Sequence, residues 1–434
     1  MNMYEKLKNL YWKNNILSET QKEELFYYLR NKIKGKNKIE KLNIENGIGE
    51  YIQNILNNQT YDNLFSIDYP LYSQKILGLD DPKIIAYYLP QYYPNEYNNK
   101  WWGKGSTEWT NVAKSVPQYL GQYQPRLPGE LGYYDLRIQE NIYRQIELAQ
   151  IYGIYGFCYY YYWFDGVRLL DLPFDNFVND DSIDFPFFID WVNSSWTKQW
   201  SSSSNTPLII QNNDVESYKN FIKSSYHLFA KNNYIKIKGK AILNIHKPLD
   251  IPRPLEVIEY WREFVLKELD LELYIIGVIS SFQENSIDFK KIGFDAVNEF
   301  APGAVTQLFK DITSSKKFVC NNFYGKVYDY KDFVENKKYL KVKKDELFRA
   351  VMPMWDNTAR KLNKGTIFDG ATPELYKQWL KDIIIETKTN KKLDEKLIFI
   401  NAWNEWAEGA YLEPDLKWKY GYLEATRDAI IETR

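Results

Sequence analysis

Two carboxylates that could move protons, Glu405 and Glu408, stand three residues apart near the end of the chain. Glu405 lies between Trp403 and Trp406, and the segment follows the apolar run Leu397–Ile400, which is typical of a buried strand. Paired carboxylic acids can carry out acid and base steps at a glycosidic bond, and the flat faces of tryptophan can hold sugar rings. One helical turn would bring both acids to the same side. The spacing therefore indicates glycosidic-bond chemistry.

Composition excludes several other classes of function. The net charge is −1, so no global basic field exists to attract nucleic acid. Only two histidines occur, His227 and His246, too few for a His-rich metal site and a poor supply for a Ser/His/Asp triad. Cys158 and Cys320 lack metal-ligand spacing and are expected to be buried free thiols. We therefore expect no metal and no cofactor.

The sequence also bears on location. The N-terminus has no apolar signal core, and the longest apolar stretch, around Leu273 to Ile279, is too short to span a bilayer. We expect a cytoplasmic protein without a membrane span. The 14 tryptophans exceed what a general Tyr, Asn and Lys bias would produce, which favours surfaces on which rings stack.

Composition divides the chain in two. Residues 1–80 are rich in Lys, Asn, Glu and Leu, and helical spacing over Gln21–Arg30 and Gly49–Leu56 predicts a small helical appendage. In residues 81–434, eight apolar runs alternate with helical patterns, which predicts a (β/α)8 barrel, the α/β fold also called a TIM barrel. A doubly wound sheet is disfavoured because no dinucleotide fingerprint and no Walker A motif occurs. The predicted strands are Ile84–Leu89, Ile154–Tyr160, Phe185–Trp191, Lys240–Ile245, Leu271–Ile279, Phe294–Asn298, Phe348–Met352 and Leu397–Ile400.

Chemistry in such a barrel gathers at the carboxyl ends of the strands. Almost every predicted strand delivers an aromatic or polar side chain there, and we expect these residues to bind a sugar substrate. They are Tyr93, Trp101, Trp102, Lys104 and Glu108 after strand one, Tyr161 and Trp163 after strand two, Asp190, Trp191, Asn193 and Trp196 after strand three, His246 after strand four, Glu299 after strand six, Trp355, Asp356 and Asn357 after strand seven, and Trp403, Asn404 and Trp406 after strand eight.

The individual acids have alternative interpretations. Either Glu405 or Glu408 could instead be buried against an arginine or cap a helix. Glu299 and Asp356 could orient a substrate hydroxyl as well as do chemistry. Glu108 could brace its loop, and Asp190 could bind either a sugar hydroxyl or an arginine.

Several long motifs resemble the WbsX-type proteins, in the same order and across roughly residues 83–434. The matching segments are Trp101–Gly105, Glu108–Val112, Tyr123–Pro128, Tyr134–Arg137, Gly156–Tyr160, Trp355–Thr358, Asn401–Gly409 and Tyr411–Asp415. That family is usually described as glycosyltransferases of polysaccharide assembly, and its barrel is similar to that of glycoside hydrolase family 99, the endo-α-mannosidases and endo-α-mannanases. Other glycan-assembly proteins are therefore expected partners.

The resemblance implies a retaining mechanism in which the sugar's own 2-hydroxyl is the nucleophile and a 1,2-anhydro sugar forms. Glu405 would be the base that takes the proton of that hydroxyl. Glu408 would protonate the leaving oxygen and then activate water or an acceptor. One acid must hold a proton near neutral pH while the other is ionised, and like charges in close proximity favour this.

The chain departs from the family pattern in places. The family commonly has histidine where Tyr93 and Tyr161 stand, and a glutamate where Ser194 stands. Tyrosine cannot act as a cation near pH 7, and loss of the glutamate removes an acceptor for a sugar hydroxyl. These departures bear on which sugar is accepted.

Three functions fit the sequence. The first is a retaining hydrolase-like enzyme that cleaves bonds inside a bacterial-type surface polysaccharide. The second uses the same site for transfer, although the acidic pairs Asp80–Asp81 and Asp180–Asp181 are poor candidates for a nucleotide-sugar metal site. A transglycosylase with oligosaccharide donors belongs to this second class. The third is a glycan-binding barrel without catalysis, which the presence of both Glu405 and Glu408 disfavours.

Overall fold

The computed structural model describes residues 40–41, 44–58, 76–78, 80–197, 207–319, 322–342, 344, 346–390 and 396–434. The helix predicted over Gln21–Arg30 lies outside the described residues. The helix predicted over Gly49–Leu56 is present as α1 (Ile44–Asn58).

Eight parallel strands close into a barrel, which confirms the predicted (β/α)8 fold. Each strand pairs with the next in the chain, and the last returns to the first through Ile398 and Ile84. The strands are β1 (Lys83–Tyr88), β2 (Gly156–Phe164), β3 (Phe187–Trp191), β4 (Lys240–Ile245), β5 (Leu273–Ile279), β6 (Ala296–Glu299), β7 (Leu347–Val351) and β8 (Leu397–Ile400).

Helices connect these strands and cover the outside of the barrel. Prolines begin two of them, at Pro254 and Pro373, where a missing backbone N–H costs nothing. Two short 3₁₀ turns, Phe282–Ser286 and Phe289–Ile292, connect β5 to β6. The helices that follow α1 are α2 (Glu96–Trp102), α3 (Glu108–Ala113), α4 (Gln139–Ile151), α5 (Asp171–Val178), α6 (Val215–Ser225), α7 (Pro254–Leu269), α8 (Tyr330–Glu335), α9 (Thr358–Lys361), α10 (Pro373–Thr389) and α11 (Gly421–Ile431).

The strands are buried on both faces, so their sequences are continuous apolar runs rather than alternating ones. The few polar side chains inside the barrel bond to one another. The Tyr87 hydroxyl accepts from the amides of Asn298 at 2.7 Å and Asn244 at 3.4 Å, and Asn244 also donates to Asp190 at 3.1 Å. These shared hydrogen bonds lower the cost of burying the polar groups in the interior.

Strand β2 extends four residues further than predicted and turns back through the short strand Val167–Leu169. Because successive side chains in a strand point to opposite faces, this extension decides which aromatics enter the barrel. Tyr160 stacks on Tyr87 inside, whereas Tyr161 packs on Phe174 of α5 outside.

Helix α1 packs beside the carboxyl side of the barrel. The Tyr51 hydroxyl donates to the carbonyl of Pro117, and the amide of Asn58 donates to the carbonyl of Gln122 at 2.8 Å. Residues Glu40–Lys41 pair in parallel with Lys317–Phe318. Among the helices of the described residues, none has the length and apolarity needed to cross a membrane.

Candidate active site

The segment after β8 folds into a tight hairpin. Residues Asn404–Glu405 pair with Ala410–Tyr411, and Trp406–Glu408 form one 3₁₀ turn between them. With three residues per turn, side chains at i and i+3 align, so Glu405 and Glu408 point to the same side. Gly409 ends the turn at φ +62°, where an added Cβ would lie 2.8 Å from Nε of Arg126 and 2.9 Å from the backbone nitrogen of Asp356. Only glycine fits there.

One arginine joins three carboxylates at this point. Arg360 Nη2 lies 2.8 Å from Glu405 Oε2, and Nη1 lies 2.8 Å from Glu408 Oε1. Both Nε and Nη2 of Arg360 donate to Glu108 Oε1, Nε at 2.8 Å. The Arg360, Glu108 and Glu405 side chains are 3%, 1% and 6% exposed, whereas Glu408 is 18% exposed. We call these four side chains the acid cluster.

The loop after β7 fixes Arg360. The Asp356 carboxylate accepts from the backbone and hydroxyl of Thr358, at 3.0 and 2.6 Å, and from the Gln122 amide at 2.7 Å. The Asn357 amide oxygen accepts from the backbone N–H of Thr366 at 2.7 Å. These bonds hold the start of α9, and thereby place its third residue, Arg360, against the acids. Asp356 and Asn357, predicted to bind substrate, make positioning contacts instead.

Glu108 reaches the acid cluster from the loop after β1. It is the first residue of α3, whose start is held by reciprocal bonds between Thr107 and Thr110. Its backbone N–H donates to the carbonyl of Gln91 at 3.1 Å. A carboxylate in the first turn is also favoured by the helix dipole. Glu108 was predicted either to bind substrate or to brace its loop, and the ion pair with Arg360 provides a partner for the bracing role.

Burial controls the protonation of the two candidate acids. It raises the pKa of Glu405 to about 8, with Glu408 and Glu108 adding to the rise and Arg360 opposing it. Burial likewise raises the pKa of Glu408, against the nearby charges of Arg360 and Lys361. Because like charges this close titrate together, the Glu405–Glu408 pair retains a proton near neutral pH. The pair thus offers one acid and one base.

A cavity of about 180 Å³ adjoins the acid cluster and shares the wall formed by Glu108 and Arg360. Trp102 and Trp196 contribute indole rings to it, and Trp101 packs edge-on against Trp196 with ring centroids 5.8 Å apart. Of the residues predicted to bind sugar, Trp102, Glu108 and Trp196 thus line one cavity with Arg360, the partner of both candidate acids, and Trp101 packs beside it on Trp196.

The barrel mouth carries a second group of polar side chains. Asp190 Oδ2 lies 2.8 Å from His246 Nδ1, and the His246 ring lies edge-on to Tyr160 and Phe300. Burial, then the charge of Glu405, raises the pKa of Tyr160 and Tyr162. The two phenols therefore lie within electrostatic range of Glu405.

Four predicted aromatics lie away from this region. Tyr161 and Trp163 pack on Phe221 of α6, and Trp191 stacks on the same ring at a centroid distance of 3.7 Å. Tyr93 is buried beside α5, near Asp171. The structure corrects these predictions because strand alternation turns Tyr161, Trp163 and Trp191 towards the helices.

Polar residues predicted to bind substrate also have internal partners. Asn193 exchanges two bonds with the backbone of Lys247, at 2.8 and 2.7 Å. Glu299 accepts from Arg349 Nε and from the Ala350 backbone, both at 3.1 Å. Both side chains are thus anchored to neighbouring elements of the described chain, Glu299 through Oε2 alone.

The residues flanking the acids are likewise structural. Asn404 exchanges two hydrogen bonds with the Leu89 backbone, at 2.7 and 3.0 Å, and so ties the β8 hairpin to β1. Trp403 is fully buried against Phe157, and Trp406 stacks on Tyr411 at 3.8 Å. The Trp406 indole N–H donates to Glu413 at 2.6 Å. Neither indole offers a free face for a sugar.

Two predicted residues lie elsewhere. Trp355 is buried in a strand pair, and Lys104 is exposed on the turn after α2.

Sequence reasoning missed Arg360, Tyr160 and Tyr162 as site residues. Period-two alternation along an extended β2 could have selected the two tyrosines. Nothing in local spacing connects Arg360 to Glu108, which is 252 positions away. Within the described parts of the chain, no group of three or more His, Cys, Asp or Glu side chains could hold a metal ion.

A (β/α)8 barrel with paired carboxylates beside an indole-lined cavity is an arrangement typical of carbohydrate-active enzymes. Residues 84–426 match the family described as glycosyltransferase WbsX, and the chain belongs to that family. It is 36% identical over 347 residues to the uncharacterized protein WxcX of Xanthomonas campestris pv. campestris, strain B100, and equally to that of strain ATCC 33913. The alignment covers 80% of this chain and 49% of either relative, so the chain spans about half the length of the curated relatives it matches.

Solved structures share the fold. A glycoside hydrolase-like protein superposes with a TM-score of 0.51 at 14% identity, over 84% of this chain and 98% of that chain. A family 99 glycoside hydrolase, the endo-α-mannosidase of Bacteroides thetaiotaomicron, superposes with a TM-score of 0.50 at 15% identity, over 81% of this chain and 97% of that chain. At these identities the likeness concerns the fold alone.

Proposed function

We propose that the protein cleaves glycosidic bonds inside a bacterial surface polysaccharide with retention of configuration, using Glu405 and Glu408. The observation that carries this proposal is the acid cluster, in which both glutamates meet one guanidinium beside an indole-lined cavity. Its place at the carboxyl end of β8 agrees with where barrel enzymes do chemistry. Membership of a family of carbohydrate-active enzymes supports the substrate class.

In the first step, Glu405 as a carboxylate accepts the proton of the sugar's 2-hydroxyl. The 2-oxygen attacks the anomeric carbon, the bond to the leaving oxygen breaks, and Glu408 gives its proton to that oxygen. The product held at the site is a 1,2-anhydro sugar. The step requires one proton on the Glu405–Glu408 pair, which burial favours by raising the pKa of both carboxyls, and it starts from the form in which that proton lies on Glu408.

In the second step, Glu408 takes a proton from water, whose oxygen attacks the anomeric carbon. The bond to the 2-oxygen breaks, and Glu405 returns the proton to it. The 18% exposure of Glu408, against 6% for Glu405, suits the residue that must meet the leaving group and the incoming water.

The second candidate is transfer of the sugar to an acceptor hydroxyl, which the family description as a glycosyltransferase favours. The chemistry of the first step is the same, and an alcohol replaces water in the second.

The reaction products distinguish hydrolysis from transfer. Capsular and O-antigen polysaccharides are incubated with the protein, with and without added nucleotide-sugars, and followed by mass spectrometry. Shortened chains without added donor support hydrolysis, whereas extended chains that need the donor support transfer.

A further inference from the structure

One side chain at the wall of the cavity beside the acid cluster makes no hydrogen bond within the described residues. Asn98 of α2 lines this cavity and is 1% exposed. Its backbone N–H donates to Asn95 Oδ1 at 2.9 Å. Neither Nδ2 nor Oδ1 of its amide has a hydrogen-bond partner within the described portion of the chain. Buried amides are nearly always hydrogen-bonded, so an unmatched donor and acceptor at a cavity wall indicate a ligand.

The other walls restrict the chemistry of that ligand. The indoles of Trp102 and Trp196 supply flat apolar surface, and Thr110 and Asn111 supply neutral polar groups. The charges of Glu108 and Arg360 are paired with each other, and Lys114 adds one exposed cation. A ligand with one apolar face and several hydroxyls fits this lining better than a phosphate or another strongly charged group.

We propose that this cavity binds one pyranose ring of the glycan and that Asn98 selects it through two neighbouring hydroxyls. One hydroxyl donates to Oδ1, and the adjacent hydroxyl accepts from Nδ2. The C–H face of the ring packs on the indoles. This inference rests on the proposed function, because the cavity is taken as the subsite for the sugar ring next to the bond that Glu405 and Glu408 break. Asn98 is then a specificity-determining residue, not a catalytic one.

The test measures binding of methyl α-D-mannopyranoside, methyl α-D-glucopyranoside and methyl α-D-galactopyranoside by saturation-transfer NMR and tryptophan fluorescence. We expect the wild-type protein to bind at least one of them. Asn98→Leu keeps the size of the side chain and removes both polar groups. It should weaken binding about ten- to thirtyfold, as expected for loss of two neutral hydrogen bonds. Its thermal stability should be unchanged or higher, since no hydrogen bond among the described residues is lost.

Asn99→Leu on the same helix is the matched control. The Asn99 amide oxygen already accepts from the backbone of Gly105 at 2.7 Å, so this variant should lose stability and keep its affinity for the glycoside. The proposal is overturned if the wild-type protein binds none of the three glycosides. It is also overturned if Asn98→Leu binds as tightly as wild type, or loses as much stability as Asn99→Leu. Polysaccharide cleavage that persists in Asn98→Leu with unchanged kcat/KM would reject this subsite and leave the proposed function standing.

Discussion

Replacing Glu405 by glutamine should stabilise the protein at alkaline pH. In the unfolded chain this carboxyl ionises near its ordinary pKa of 4.5, and in the folded protein burial raises the pKa to about 8. Between these values the folded state holds a proton that the unfolded state has released. The free energy of unfolding therefore falls as pH rises, and the penalty is absent below about pH 4.5.

The magnitude follows from the shift. Each unit of pKa is worth about 1.4 kcal/mol, so the burial of Glu405 costs the folded state about 3–5 kcal/mol at pH 8. Glutamine has nearly the same shape and does not titrate. Arg360 keeps Glu108 and Glu408 as partners in the variant. The Glu405→Gln protein should thus match wild type near pH 4.5 and exceed it progressively up to pH 8.

Urea denaturation at half-unit steps from pH 4.5 to 8.5 measures this difference. Glu263→Gln is the control, because it removes one carboxylate from an exposed position on α7. The reasoning is refuted if Glu405→Gln is less stable than wild type at pH 8. That result would mean that the Glu405–Glu408 pair holds no shared proton at pH 8 and that the ion pair of Glu405 with Arg360 is net stabilising.

Three further predictions follow from the same contacts. The profile of kcat/KM against pH should be bell-shaped, with an alkaline limb near pH 8 where the Glu405–Glu408 pair loses its last proton; a flat profile through pH 9 would contradict the shared proton. Arg360→Gln leaves three carboxylates, two of them buried, without their guanidinium and should cost about 3–5 kcal/mol of stability in urea denaturation, whereas a loss under about 1 kcal/mol would show that the cluster is solvated. Asn404→Ala breaks both bonds to Leu89 and should cost about 1–3 kcal/mol by the same assay; unchanged stability with weakened glycan binding would return Asn404 to the substrate-binding residues.

The barrel could be predicted from the sequence because its strands are continuous apolar runs separated by helical patterns. Buried parallel strands require such runs, and prolines such as Pro254 and Pro373 mark helix starts that local chemistry dictates. The spacing of Glu405 and Glu408 likewise sufficed to predict that both acids face one side. These features depend on neighbours within a few residues of each other.

The misplaced aromatics show where sequence reasoning ends. Treating Tyr161 and Trp163 as loop residues ignored the strand that continues through them to Phe164, and with it the alternation that selects Tyr160 and Tyr162. Arg360 lies in the short helix after β7, and nothing in the local sequence marks it as a site residue. Its partner Glu108 follows β1. The two residues meet only because β8 pairs with β1 and closes the barrel, and no periodicity in the sequence connects residues so far apart.

The orphaned amide of Asn98 illustrates the same limit at the cavity. An asparagine in a short helix usually bonds to nearby backbone or to solvent, so its type and position suggested nothing. The amide indicates a ligand because it has no hydrogen-bond partner among the described residues around it. Only the way α2 packs beside Trp196 reveals this.

The most direct test of the central claim compares Glu405→Gln and Glu408→Gln with wild type on a polysaccharide that wild type shortens. Turnover is followed by mass spectrometry, and binding of the intact glycan by isothermal titration. We predict that each variant loses at least about a hundredfold in kcat, the usual scale for an acid or base in the reaction, while its affinity for the glycan persists. If either variant turns over at the wild-type rate, the assignment of chemistry to these two glutamates is wrong.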